Sequence, residues 1–279
     1  MAGLENFTPE KWWASVFVRL RAGLVHGSTV NREYQGLLSD SGDTIHISEL
    51  EPISTSTYSK NSDITWSNTT SYSKDLLIDQ QTYYARNLDS IDRVQNNINT
   101  QAAIADEAGY GMAKDADTFI ATQYTYAGNS VTAATVSAGS VMANLSNMQY
   151  ELDNANVPVT ERFMPIKPWY HQDLVQAATQ AINTTGVPKV FSDNLLVNGY
   201  VGRLFGFNLL LTTQVTDNAS TVAYHMGYHR SAIAFVGQLT EASVVQREDR
   251  FGIGIKALYV YGAKVVRPEA MVSCTTTKG

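Results

Sequence analysis

The chain has 279 residues, near the upper limit of what one hydrophobic core supports, so one domain or two intergrown lobes is expected rather than a string of modules. With 44% hydrophobic and 10% aromatic residues the composition is that of a folded chain, and a formal net charge of −6 without clustered Lys and Arg excludes a dedicated duplex-binding domain. Charged residues are only 16%, against roughly a quarter in an ordinary soluble domain, so much of the surface is expected to meet protein rather than water.

The amino terminus has no basic segment ahead of an apolar one, and no run of about 18 apolar residues follows, so neither export nor a membrane-spanning helix is expected. Thr8 and Pro9 form a helix start, because Thr caps free amides and Pro suits the first helical position. Trp13, Phe17, Leu20 and Leu24 then share one face, which predicts an amphipathic helix over residues 9–24. That helix docks either on its own body or on a neighbour. Ile45 and Ile47 alternate with Thr44, His46 and Ser48, the period-two pattern of a half-buried strand. Residues 51–73 are dominated by Ser and Thr, with Tyr58, Trp66 and Tyr72 but few aliphatics, so they cannot fill a core. A second β-rich run covers Asp75 to Tyr84, and residues 36–84 read as two strands joined by a long polar ribbon. Loops longer than about 15 residues are uncommon in compact domains. The ribbon is either a surface loop or a segment that orders against a partner through its three aromatics.

From Asp89 the period changes. Ile91, Val94, Ile98, Ala102, Ala105, Met112, Ala116, Phe119 and Ile120 fall mostly on one helical face, predicting a helix from residue 89 to about 124, roughly 50 Å long at 1.5 Å per residue. Gly109 and Gly111 weaken it by about 1 kcal/mol each relative to Ala and are expected to mark a kink or close packing. The small residues of 127–139 suggest a lobe boundary. A second lobe is expected to follow to about residue 240, with helices near 140–154 and 170–182 and strands at Leu209–Thr213 and Val222–Val236. Pro165 and Pro168 should confine their segment to a sheet edge or a turn. Alternation from Phe251 through Tyr261 to Val266 predicts a long closing strand that ends at Pro268.

The motifs that would carry chemistry are missing: there is no phosphate-binding Gly-x-x-x-x-Gly-Lys loop, no Gly-x-Ser-x-Gly elbow and no His-Glu-x-x-His. The spaced glycines Gly199, Gly202 and Gly206 lack a dinucleotide-fold context and suggest close chain packing instead. His225 and His229 sit in a strand-like run where positions four apart are separated by about 13 Å at 3.3 Å per residue, so they are not expected to share a metal. Asp75 with Asp79, and Glu248 with Asp249, are carboxylate pairs with nothing beside them to suggest a pocket. The single Cys274 excludes an internal disulfide and a multi-cysteine metal site. Asn68 and Asn144 match glycosylation acceptors by chance. No catalytic residue, cofactor or metal is expected.

The order of these parts resembles the major capsid (coat) proteins of tailed bacteriophages, which share an α+β, HK97-like fold. The resemblance is carried by Trp12-Trp13 through Asn31-Arg32-Glu33-Tyr34-Gln35-Gly36, by Gly42-Asp43-Thr44-Ile45, and by Leu77 through Tyr84 leading into the long helix. Gly202 to Phe207 followed by a strand, and Tyr261-Gly262-Ala263 before Pro268-Glu269, continue it. The resemblance implies an amino-terminal arm (residues 1–35), an extended β-hairpin loop (36–84), a peripheral domain with a long spine helix (85–131 and 240–279) and an axial domain (132–239). It implies a subunit that assembles with copies of itself as hexamers and pentamers into an icosahedral shell around double-stranded DNA, held without sequence readout. The implied partners are a separate scaffolding protein, a portal protein and, where one exists, a decoration protein, with no membrane. The implied location is the virion, after assembly in the host cytoplasm. Trp12, Trp13, Phe17, Tyr58, Lys60, Trp66 and Tyr72 are the expected subunit-interface residues. Lys60 and Lys74 are the loop lysines, but no acceptor for a covalent cross-link is matched. An encapsulin-like nanocompartment shell, or an α/β enzyme of unknown type, is the alternative reading.

Overall fold

A computed structural model describes residues 25–37, 44–51, 53–66, 68–89, 100–182, 202–218, 221–246 and 252–279. The fold is α+β. A short helix α1 (His26–Thr29) and a 3-10 turn (Glu33–Leu37) precede a hairpin of β1 (Thr44–Leu50) and β2 (Ser71–Leu77). Next come β3 (Gln80–Asp89), α2 (Thr100–Ala121), β4 (Asn129–Val136), α3 (Val141–Asn154), β5 (Arg162–Ile166) and α4 (Pro168–Ile182). The chain continues through β6 (Arg203–Leu204), β7 (Phe207–Leu211), β8 (Val222–His229), β9 (Ile233–Gln246), β10 (Gly252–Val265) and β11 (Met271–Lys278). Besides the hairpin there is a three-stranded sheet, β3-β10-β9, and a six-stranded mixed sheet, β4-β11-β8-β5-β7-β6.

The helices form where the apolar spacing is helical. In α3, Val141, Leu145, Met148 and Leu152 recur at four, three and four and are fully buried. Pro168 occupies the first position of α4, whose Tyr170, Leu174 and Ala177 point into the same core. β9 serves two cores by strand alternation: Ile233 and Phe235 enter the main cluster, whereas Ala234 and Val236 face a second one with Ile45, Ile47, Leu76, Ile78 and Val266. The hairpin base is therefore packed on the opposite side of the sheet from the main core.

Several expectations are corrected. The return strand of the hairpin is Ser71–Leu77 rather than Asp75–Tyr84, because Leu76 and Ile78 point inward and the chain then passes into a different sheet as β3, paired with β10. Strand β3 runs to Asp89, and helix α2 is described from Thr100; Ile91, Val94 and Ile98 lie outside the described residues. The helix continues unbroken through Gly109 and Gly111, where an added Cβ would meet nothing within 4 Å, so neither close packing nor a helix break is found there. The small-residue segment is strand β4, parallel to β11. The closing segment 240–279 is shared between two sheets, since the Thr-rich tail forms β11 inside the six-stranded one.

Pro165 lies in an interior strand, not at an edge. Strand β8 pairs only with Arg162 and Phe163, whereas β7 pairs with Phe163 through Ile166. Beyond Phe163 the β8 side is open, and the Lys167 amide there donates to His225 Nε2 at 3.3 Å. By the two-residue period the Pro165 nitrogen faces that same side, where no ladder partner is lost. The run expected at Val222–Val236 is two strands, β8 and β9, broken by a 3-10 turn at Arg230–Ala232.

Candidate assembly surface

The hairpin β1–β2 is in register from Thr44↔Leu77 to Leu50↔Ser71. One further backbone bond, from Glu51 N to Thr70 O at 3.1 Å, closes the ladder. Beyond it residues 53–66 run without regular structure to a turn at Lys60–Asn61, where Asn61 takes φ 67° and Ser62 N donates to Ser59 O at 3.1 Å. Asn tolerates that left-handed conformation because its side chain is short and polar.

The base is anchored while the ribbon is free. Ile45 and Ile47 are buried, with His46 and Ser48 on the opposite, exposed face. Lys74 Nζ donates to Glu49 Oε2 at 2.8 Å and to the Val266 carbonyl at 2.5 Å, tying the hairpin to the body. Gly262 of β10 lets the chain cross closely, since a Cβ there would lie 2.1 Å from the Leu77 oxygen. Every described residue from Glu51 to Ser73 is exposed. Trp66 is 90% exposed and Ile53 80%, with Tyr58, Ile64 and Tyr72 also open to solvent. Together these side chains make an exposed apolar surface on a projecting element.

Of the expected interface residues, Tyr58, Lys60, Trp66 and Tyr72 lie together on this hairpin and are exposed. Trp12, Trp13 and Phe17, with the helix expected at 9–24, lie outside the described residues. Leu50, Ile53 and Ile64 belong to the same surface and were not singled out from sequence. Isolated aliphatics inside a Ser/Thr ribbon were the available signal. Lys60 stands at the tip, whereas Lys74 is committed to its two contacts at the base.

The chain entering the hairpin is also fixed to the body. Asp117 of α2 accepts from the amides of Gly27 at 2.8 Å and Val25 at 3.3 Å, Thr29 Oγ1 lies 2.6 Å from Tyr228 Oη, and Asn31 exchanges backbone bonds with Ile233 and Phe235. Burial pushes the Asp117 carboxyl up from its ordinary value, and those amide bonds pull it back. His26 beside it is buried, with neither ring nitrogen partnered among the described residues; burial holds its pKa down at about 3, so it is neutral.

The remaining chemistry-bearing residues serve the core. His225 is fully buried, Nδ1 lying 2.7 Å from Thr276 Oγ1, whereas His229 contacts Ser231 Oγ at 2.8 Å. Each is occupied separately, and among the described residues no group of three His, Cys, Asp or Glu is placed to hold a metal. The buried Cys274 thiol accepts from Asn144 Nδ2 at 3.1 Å, and Tyr170 Oη donates to Asn144 Oδ1 at 3.1 Å. Burial raises both the Cys274 and the Tyr170 pKa. Asn144 is thus a core residue, not a glycan acceptor. Asp75 lies 2.6 Å from His46 Nδ1 across the hairpin, and Asp79 accepts from Gln80 Nε2, so these two carboxylates do not form a pair. Glu248 and Asp249 lie outside the described residues. Gly206, at φ 78°, and Phe205, at φ 48°, form the two-residue turn between β6 and β7, which explains the glycine as a turn requirement. Gly199 lies outside the described residues.

The family profile described as phage capsid protein matches residues 39–278. No curated protein sequence matches the chain. Among solved structures, one from Mycobacterium phage Che8 is 27% identical over 98% of each chain with a TM-score of 0.81. The capsid of cyanophage P-SCSP1u is 14% identical, covering 100% of this chain and 96% of that one, with a TM-score of 0.76. The mature capsid of bacteriophage PhiM1 is 14% identical over 92% and 90% with a TM-score of 0.68, a likeness of fold. An exposed apolar hairpin on a fold of this kind and a family match over most of the length agree: the chain belongs to the phage capsid protein family, as a structural, non-enzymatic major capsid protein of the virion with the HK97-like fold.

Proposed function

We propose that the subunit forms hexamers and pentamers that close an icosahedral shell around double-stranded DNA, and that the β1–β2 hairpin is the element that joins neighbours. The observation that supports this most is the hairpin itself, anchored at its base and carrying Ile53, Tyr58, Ile64, Trp66 and Tyr72 into solvent. Within this reading residues 1–35 form the arm, 36–84 the extended loop, 85–131 with 240–279 the peripheral domain around α2, and 132–239 the axial domain. The chemistry of the surface suits this work: a chain with few charges presents hydroxyls and aromatics for protein contact, and its net charge of −6 fits DNA held without tight binding. A separate scaffolding protein, a portal and, where one exists, a decoration protein complete the assembly, which takes place in the host cytoplasm.

The test is a variant in which residues 52–69 are replaced by a short Gly-Ser turn. No described residue of the excised ribbon belongs to either core, and shortening a surface loop changes closure entropy only modestly, so the subunit should keep near-native circular dichroism. Electron microscopy should show no particles under conditions in which the unaltered chain forms them. Normal particles from the variant would overturn the proposed role of the hairpin.

A further inference from the structure

A polar cleft of about 690 Å³ opens between the segment after α1, strand β1 and the turns that follow β8 and β10. Three arginines reach it from segments far apart in the chain: Arg32, Arg230 and Arg267. Glu33, Glu49 and Glu161 also line it, but they do not neutralise the arginines. Glu49 is taken by Lys74 at 2.8 Å, Glu33 is exposed and contacts Asn31 Nδ2 at 3.4 Å, and Glu161 meets Arg230 Nη1 only at 3.5 Å with both side chains about half exposed. Arg267 forms no ion pair among the described residues, and its Nη1 lies 3.5 Å from Ser231 Oγ. With Lys74 set against Glu49, three arginines face two carboxylates, on a chain in which 26 Asp and Glu outnumber 20 Lys and Arg.

The turn after β8 holds these donors in place. His229 Nδ1 accepts from Ser231 N at 3.2 Å and lies 2.8 Å from Ser231 Oγ, so the neutral ring carries its proton on Nε2 and donates from there. The Ser231 hydroxyl, donating to that ring, has its oxygen left to accept from Arg267. Burial lowers the His229 pKa; Glu161 opposes this, and the charges of Arg162 and Arg267 add to it, as they do where the local field is positive. Guanidinium forks beside an N–H donor match the oxygens of a phosphate, and the open cleft leaves room for whatever group carries it. We propose that this cleft binds a phosphate-type oxyanion, held by Arg230 and Arg267 with His229 Nε2 as a further donor and Arg32 adding charge. Glu161 competes for Arg230 and keeps the affinity low. The inference is independent of the hairpin's role. Free phosphate and the backbone of nucleic acid offer the same chemistry, and the test separates them.

Isothermal titration of the dissociated full-length subunit with sodium phosphate, against sodium chloride at matched ionic strength, should give saturable binding with phosphate alone. Arg230 and Arg267 are exposed, so Arg230→Gln and Arg267→Gln should keep the native circular dichroism, and each should weaken phosphate binding by about tenfold. Glu161→Gln should tighten it by about threefold, an effect that a merely structural role would not produce. Absence of saturable binding, or binding that both arginine variants retain, overturns the site. A Glu161→Gln variant that binds no tighter overturns the placement of the anion beside Arg230. A short DNA duplex, titrated into the same proteins, identifies the source: loss of its binding in Arg267→Gln assigns the cleft to the nucleic-acid backbone, and duplex binding indifferent to Arg267 beside phosphate binding that needs it assigns the cleft to free phosphate.

Discussion

Two buried histidines make the subunit sensitive to acid. His26 and His225 are both held neutral by burial, each with its pKa lowered from 6.5 to about 3, and Lys167 adds to the effect at His225. Unfolding exposes both to water. Between pH 6.5 and about 3 the unfolded chain binds protons that the folded chain cannot, so stability is full above pH 6.5 and falls as pH drops through that window. Each histidine contributes up to about 1.4 kcal/mol per pH unit there. Urea midpoints of the dissociated subunit should therefore decline from pH 6.5 towards 4, and His26→Leu, which removes two unpartnered nitrogens, should flatten the decline. An unchanged slope in that variant would show that His26 titrates in the folded chain. Arg162 illustrates the opposite solution to burial: it is fully buried, yet Nε donates to the Pro158 carbonyl at 2.8 Å, Nη2 donates to that of Val157, and Nη1 meets the Asp153 carboxylate at 2.7 Å as a charge contact.

At the level of elements, the hairpin depends on one close crossing. Gly262 sits where β10 passes the end of β2, and the atom a Cβ would strike, the Leu77 carbonyl oxygen, is backbone and cannot move aside without shifting the strand. Gly262→Ala should lift the hairpin base, expose Ile45, Ile47 and Leu76, and cost about 1–3 kcal/mol as overpacking does. Hydrogen exchange should show the loss first in the amides of β1 and β2. Equal protection in the variant and the unaltered chain would mean that the crossing relaxes without cost. Gly109, by contrast, borders open space, so an element that looks alike in sequence has no comparable constraint.

For the molecule as a whole, the proposed role of the ribbon means that the free subunit is not the chain's most stable state. Burying the ribbon against neighbours binds the folded form and not the unfolded one, so assembly should raise the melting temperature by mass action and make it depend on concentration. Scanning calorimetry of particles and of dissociated subunits at several concentrations checks this; identical, concentration-independent transitions would count against assembly through the ribbon.

Sequence alone determined the elements whose period is their own. The apolar spacing of α3 and α4, the alternation of β1 and β10, and the polarity of residues 51–70 follow from which side chains must avoid water, and each was legible without knowing its neighbours. The exposed Tyr58, Lys60, Trp66 and Tyr72 were legible for the same reason. Tertiary structure alone decided where strands change partners. Nothing in residues 71–89 separates a hairpin strand from a sheet strand except that Leu76 and Ile78 meet Val236 and Val266 while the following residues meet β10. The small residues of β4 gave no strand signal because their partner, β11, lies about 140 positions away, and pairing over such a separation leaves no local trace. Pro165 is tolerated inside a sheet only because β8 diverges beside it, and Gly262 is required only because β2 ends against it. These choices depend on contacts between segments distant in the chain, so their physical causes exist only once the chain has folded.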